Sequence, residues 1–219
     1  MIINVNGIDL FYEKAGAGHP VLLLHGNGED HHIFDALAAK LSAHYSLYLV
    51  DSRNHGESGK SGDFSYGAMA ADILGLINVL GISPHIVGFS DGAIIALLLA
   101  MKHGTAVGKL ALLGPNLSPA DFTDESLGYI RNAYAASPDP LLKLMLEEPN
   151  IKPEELAGIE NEALVIVGED DIFKPETFPM IAAALPNAGL KIMTGHSHDS
   201  YVNGSDLLYD DLKAFLGGV

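Results

Sequence analysis

The sequence predicts an α/β domain built on a mainly parallel central sheet with helices covering both faces, and three observations support that expectation. Apolar, strand-like runs alternate with stretches of helical periodicity through most of the 219 residues, the order that parallel βαβ units produce. The run Pro20–Leu24 is apolar throughout rather than at alternate positions, as in a strand covered on both sides. At residues 88–92 the segment Gly-Phe-Ser-Asp-Gly joins one such strand to one such helix, so the chain turns sharply at a serine.

Residues 2–5 and 8–13 flank Asn6-Gly7, a dipeptide that favours the tight turn of a β-hairpin. After a glycine-rich turn at 15–18, the strand 20–24 ends at His25-Gly26-Asn27-Gly28. The two glycines let the backbone turn so that an N–H faces a ligand, although a plain flexible loop has the same composition. Glu29-Asp30-His31-His32 crowds carboxylates with imidazoles. Adjacent histidines diverge on a helix and no third imidazole follows at ligand spacing, so a solvated helix start is expected and no metal site. That helix is predicted to reach about residue 43 and to bury Phe34, Leu37, Ala38 and Leu41.

Tyr45–Val50 is the next strand, breaking into the polar loop 51–59, where Asp51 and Arg53 are expected to brace the loop by pairing. Tyr66, Met69, Ala70, Ile73, Leu76, Ile77 and Leu80 follow helical spacing, and Gly81 stops them. The strand 85–89 then leads through Ser90 into an apolar helix that closes at Lys102-His103-Gly104. Val107–Leu113 is a further strand. From about 115 to 161 the chain changes character, with Pro119, Pro138, Pro140, Pro149 and Pro153 among short amphipathic pieces, and predicts two or three helices forming a lid. Strand 163–167, a helix over about 176–185, strand 190–193 and a last helix capped by Ser205 complete the order; that helix is expected to bury Leu208, Leu212 and Phe215. No linker divides the chain, so residues 1–219 are expected to form a single domain with the lid as an insertion.

Composition narrows the partners. The net charge of −16, with no Lys/Arg cluster, argues against nucleic acid or an anionic membrane surface and mildly favours an uncharged or cationic substrate. No apolar run reaches membrane-span length, and the amino terminus carries no secretory pattern, so a cytoplasmic location is expected. Cysteine is absent, which removes disulfides, thiolate ligands and a cysteine nucleophile together.

The chemistry centres on Ser90. Glycines at 88 and 92 relieve crowding around a strained turn, and the helix that begins there aims unpaired N–H groups at whatever the hydroxyl attacks. A serine hydroxyl needs a base, and the base an orienting carboxylate. Acids and then histidines follow later strands, in the order Ser, Asp, His.

His25–Gly28, Asp51–Ser58, Gly88–Gly92, Gly168–Asp171 and the histidine loop at 195–201 together resemble the α/β-hydrolase superfamily, in particular its small serine esterases and lactonases, over nearly the whole chain. The resemblance implies the α/β-hydrolase fold and makes Ser90 the nucleophile. Backbone N–H groups of Asn27 and Asp91 are implied as the oxyanion hole. For the acid, a Gly-x-x-Asp pattern with proline four residues on selects Asp171, with Asp170 as the alternative. His198 is preferred as base on its loop length and its gap to the last helix; His196, which follows Gly195, is the alternative. The Asp91 carboxylate either selects substrate charge or, as expected, serves the start of its helix.

These assignments imply two-step acyl transfer on a small carboxylic ester or lactone, with no cofactor and no metal required. C–C bond hydrolases, thioesterases and amidases use the same set, whereas haloalkane dehalogenation needs a carboxylate where this chain has Ser90. A ligand-binding regulatory protein with incidental turnover is the reading from another class, and the completeness of the set argues against it.

Overall fold

The computed structural model describes residues 1–217. Its strands are β1 (Ile2–Val5), β2 (Ile8–Ala15), β3 (His19–Leu24), β4 (Tyr45–Val50), β5 (His85–Phe89), β6 (Leu110–Leu113), β7 (Ala163–Asp170) and β8 (Ala188–Ser197). The helices are α1 (Asp35–Leu41), α2 (Tyr66–Leu80), α3 (Asp91–His103), α4 (Asp124–Ala136), α5 (Pro140–Glu147), α6 (Thr177–Ala184) and α7 (Tyr209–Leu216). The strands form one eight-stranded sheet in the order β1-β2-β4-β3-β5-β6-β7-β8. Pairs β1–β2 and β2–β4 are antiparallel, and all the others are parallel. In the β1–β2 hairpin both turn residues take positive φ, Asn6 at 52° and Gly7 at 77°, the twist that matches the flanking strands.

The uninterrupted apolar strands are explained by two cores, one on each face. Successive side chains point to opposite sides of a sheet. Val21 and Leu23 of β3, Val87 and Phe89 of β5, and Ala111 and Leu113 of β6 accordingly pack with Leu37 and Leu41 of α1 and Leu212 and Leu216 of α7. Their neighbours Leu22, Leu24, Ile86, Leu110 and Leu112 meet Met69 and Ile73 of α2, Ile94 and Leu97 of α3, and Ile181 of α6. Helix α2 starts where the Ser65 hydroxyl accepts the Ala68 N–H and stops at Gly81 in the left-handed conformation.

Several boundaries differ from the sequence expectation, each for a local reason. A 3-10 turn at His31–Phe34, capped by the Asp30 carboxylate, precedes α1, which ends at Leu41 rather than near 43. Strand β6 begins at Leu110 because the amides of Gly108 and Lys109 bond to the Pro84 carbonyl and to His85 Nδ1 instead. Strands β7 and β8 both run further than predicted because they pair beyond an irregularity at Gly168–Asp170, which brings Asp170 opposite Ser197. At the carboxyl end Ser205 caps the turn ahead of α7, not the helix itself. Leu208, Leu212 and Leu216, four residues apart, share the buried face, and Phe215 at its flank is only half-buried. No helix among the described residues is long and apolar enough to cross a membrane.

Candidate active site

At the end of β5 the backbone of Ser90 sits at φ 51°, ψ −111°, a conformation that costs a non-glycine residue about 1–3 kcal/mol. Close packing holds it there. The Ser90 amide donates to the Leu113 carbonyl of β6 at 2.8 Å, and its carbonyl accepts from the Ala93 amide at 2.9 Å. A Cβ at Gly88 would strike the backbone of Gly92 and Ala93, and one at Gly92 would strike the Leu24 carbonyl of β3. Gly92 is therefore demanded by the neighbouring strand rather than by the serine itself.

The turn presents Oγ of Ser90 to His198 Nε2 at 3.1 Å, and His198 Nδ1 lies 2.8 Å from Asp171 Oδ1. Phe89 and Phe173 pack against the imidazole, with ring centroids 4.9 and 5.3 Å away. The Asp171 side chain is almost wholly buried, and its Oδ1 also accepts the Phe173 amide at 3.2 Å. The alternatives lie elsewhere: Asp170 is exposed at the end of β7, and His196, still on β8, turns its Nδ1 to the Ser200 hydroxyl at 3.1 Å. The unforeseen length of β8 separates the two histidines, leaving one on the strand and the other on the loop beyond it.

The turn after β3 is tied down from below. His25 contacts the Gly26 carbonyl through Nδ1 at 2.8 Å and accepts the Ser52 amide at Nε2 at 3.0 Å, so its Nδ1 carries the proton. Burial lowers its pKa to about 4, which keeps the ring neutral. Asn27 follows, and neither its backbone N–H nor that of Asp91 donates to another group among the described residues. The Asp91 side chain is buried and makes no hydrogen bond to Ser90 among the described residues. It accepts from Tyr66 Oη at 2.7 Å and from Asn27 Nδ2 at 3.0 Å, and burial raises its pKa. Asp91 thus links the start of α2 to the turn carrying Asn27, besides standing in the first turn of α3.

The loop after β4 corrects one expectation. Arg53 pairs not with Asp51 but with Asp72 of α2, through Nε at 2.6 Å and a terminal nitrogen at 2.8 Å. Asp51 instead accepts the His31 amide, His31 Nδ1 and the Glu57 amide, each at 2.8 Å. At 30–32, Asp30 takes the His32 amide and His32 Nδ1 meets Asp35, whereas the buried His31 Nε2, 3.8 Å from Glu13, has no hydrogen-bond partner among the described residues, and one ligand atom from each of Asp30, His31 and His32 lies within 4.8 Å of the others.

A cavity of about 610 Å³ opens over Ser90 and His198. Its far wall comes from the segment between β6 and β7: Ser126, Tyr129 and Ile130 of α4, and Leu142 and Met145 of α5. A short antiparallel contact between Phe122 and Phe173 staples the stem of that segment to the loop bearing Asp171, with the Lys174 amide donating to the Asp121 carbonyl at 2.8 Å. One lining residue was invisible in the sequence. Glu29, expected at a solvated helix start, bends back so that Oε2 accepts the Gly26 amide at 3.0 Å, and burial pushes its pKa up to about 7. Only its position one residue past the glycine turn hinted at this.

A family profile described as the alpha/beta hydrolase fold matches residues 19–141. The pimeloyl-[acyl-carrier protein] methyl ester esterase of Klebsiella pneumoniae (strain 342) is 31% identical over 157 residues, covering 70% of this chain and 50% of that protein. N-formylmaleamate deformylase of Pseudomonas putida is 32% identical over 120 residues, covering 53% and 45%. The chain thus spans about half the length of the curated relatives it matches. Among solved structures, the enol-lactonase of Burkholderia xenovorans LB400 superposes with a TM-score of 0.82 at 22% identity over 99% of both chains, a likeness of fold. With the sheet order, the turn at Ser90 and the profile match in agreement, the chain belongs to the alpha/beta hydrolase fold family.

Proposed function

We propose that the protein is a serine hydrolase that cleaves a small carboxylic ester or lactone. The observation that carries this reading is the unbroken hydrogen-bonded line from Ser90 Oγ through His198 to Asp171 at the floor of a cavity. In the first step His198 Nε2 takes the hydroxyl proton as Ser90 Oγ attacks the carbonyl carbon, and Asp171 stabilises the resulting imidazolium. The oxyanion is held by the backbone N–H groups of Asn27 and Asp91, which have no other partner among the described residues to give up. Collapse breaks the carbonyl–oxygen bond, and His198 returns its proton to the leaving alcohol. Water, deprotonated by the same imidazole, then releases the acid and restores Ser90. His196 and Asp170 take no part in this scheme, and Glu29 and the α4–α5 wall bound the space available to substrate. The esterase and deformylase names among the relatives agree with acyl chemistry at such a site.

A p-nitrophenyl ester series from acetate to octanoate, given to the wild type and to Ser90→Ala prepared identically, tests the reading. The expected outcome is Ser90-dependent hydrolysis reduced about a thousandfold or more in the variant, with an optimum chain length that measures the acyl space. Equal rates in both proteins would overturn it.

A further inference from the structure

The cavity over Ser90 holds a carboxyl group that the reaction scheme does not use. The Glu29 side chain is anchored through Oε2 by the Gly26 amide, in the same turn that carries Asn27, and it lines the cavity together with Ser90 and His198. Asp91, the carboxylate nearest the nucleophile in sequence, is committed to Tyr66 and Asn27 and does not line the space. Glu125 of α4 and Asp199 stand on the wall, and no Lys or Arg lines it among the described residues. Tyr129, 75% exposed, offers an aromatic ring on the same wall. Apart from Asn27 and Ser126, the rest of the lining, Phe89, Ile130, Leu142, Met145 and Ile172, is apolar, which strengthens any charge interaction made there. A carboxylate and an exposed aromatic ring lining one largely apolar cavity are the groups that recognise an ammonium group.

We propose that Glu29 selects substrate by charge, so that the protein takes esters bearing an ammonium group close to the carbonyl ahead of neutral esters of the same shape. The proposal rests on the serine-hydrolase reading above. It predicts a pH signature as well. Burial holds the Glu29 carboxyl near a pKa of about 7, with the Gly26 amide and the His198 ring favouring its charged form and Asp199 and Asp91 opposing it. The selection should therefore strengthen as pH rises through neutrality. A pH effect on the attack by Ser90 itself is common to both esters and cancels in their ratio.

The test uses the p-nitrophenyl esters of 4-(trimethylammonio)butanoate and 5,5-dimethylhexanoate, which differ in one atom, nitrogen for carbon, and neither of which titrates in the range studied. The ratio of kcat/KM, cationic over neutral, is measured at about pH 6 and about pH 8.5 for the wild type, Glu29→Gln and Ser90→Ala. The expected wild-type ratio is about tenfold in favour of the cation at the higher pH and several-fold smaller at the lower, with Glu29→Gln near one and flat. A wild-type ratio at or below one, or one that does not change with pH, overturns the assignment. A large ratio that survives in Glu29→Gln also overturns it and moves selection to Glu125 or Asp199. Should Glu29→Gln lose all turnover, the wild-type pH dependence still decides. If neither ester is cleaved in a Ser90-dependent way, the hydrolase reading itself fails and takes this proposal with it; Ser90-dependent cleavage without discrimination sinks only the role of Glu29.

Discussion

Helices α3 and α4 are both 13 residues long, the first starting directly after Ser90 and the second lining the cavity above it, yet they are built on opposite terms. Nine residues of α3 are buried, from Asp91 through Ala100, whereas α4 buries only Ile130 and its partner α5 only Leu144. The floor of the site is therefore part of the core, with its backbone in contact with β3 and β6. The roof is a pair of amphipathic helices resting on an edge of that core. Reaction geometry held by backbone packing tolerates little change, whereas a roof held by a few side chains can vary in shape without disturbing the sheet.

Gly92→Ala should have the largest effect. Its methyl group meets the Leu24 carbonyl, which cannot move without disturbing β3, so a loss of about 3 kcal/mol is expected in denaturant unfolding. A midpoint equal to that of the wild type would show slack in the floor and break the contrast. Asp91→Ala is next. It strands the Tyr66 hydroxyl and leaves the Asn27 side chain only a 3.4 Å bond to the Leu141 carbonyl, at a cost of about 1–3 kcal/mol. Because Asn27 then loses its shorter tether, kcat on an ester should fall much further than KM rises; an effect on KM alone would count against the bracing role. The mildest is Leu142→Ala in the roof. The side chain is half-buried, so stability should change by about 1 kcal/mol or less while KM across the acyl series shifts by a few-fold. A large drop in melting temperature there would mean that the roof belongs to the core after all.

The floor was also the part more legible in the sequence. Runs such as Pro20–Leu24 announce strands covered on both sides, and the glycines around Ser90 announce the turn, because both signals are local. The roof was readable as prolines and short amphipathic pieces, but periodicity does not say which side chains face the cavity. Contacts between distant residues were the least accessible. Arg53 has acidic neighbours at Asp51 and Asp63, yet its bidentate partner is Asp72 on the helix that follows. Spacing left His196 and His198 as alternatives because the separation depends on how far β8 continues, which is set by its pairing with β7. Glu29 escaped notice because its bond to Gly26 closes only once the chain has turned back on itself.

The staple at Phe122–Phe173 sets where this architecture can be recombined. From Asp124 onward the roof could be exchanged for another insertion of different length, since its helices make no strand pairing. Residues 121–123 are a different matter, because the Thr123 amide bonds to the carbonyl of Ile172, one step along the chain from Asp171, and the Lys174 amide, three steps along, bonds to the Asp121 carbonyl. A graft that cuts before Asp121 would unfasten the loop carrying that carboxylate, so the same exchange would alter the cavity wall and the proposed acid at once. The usable splice point lies just past the staple, where the cavity wall can diverge while Ser90, His198 and Asp171 stay in register.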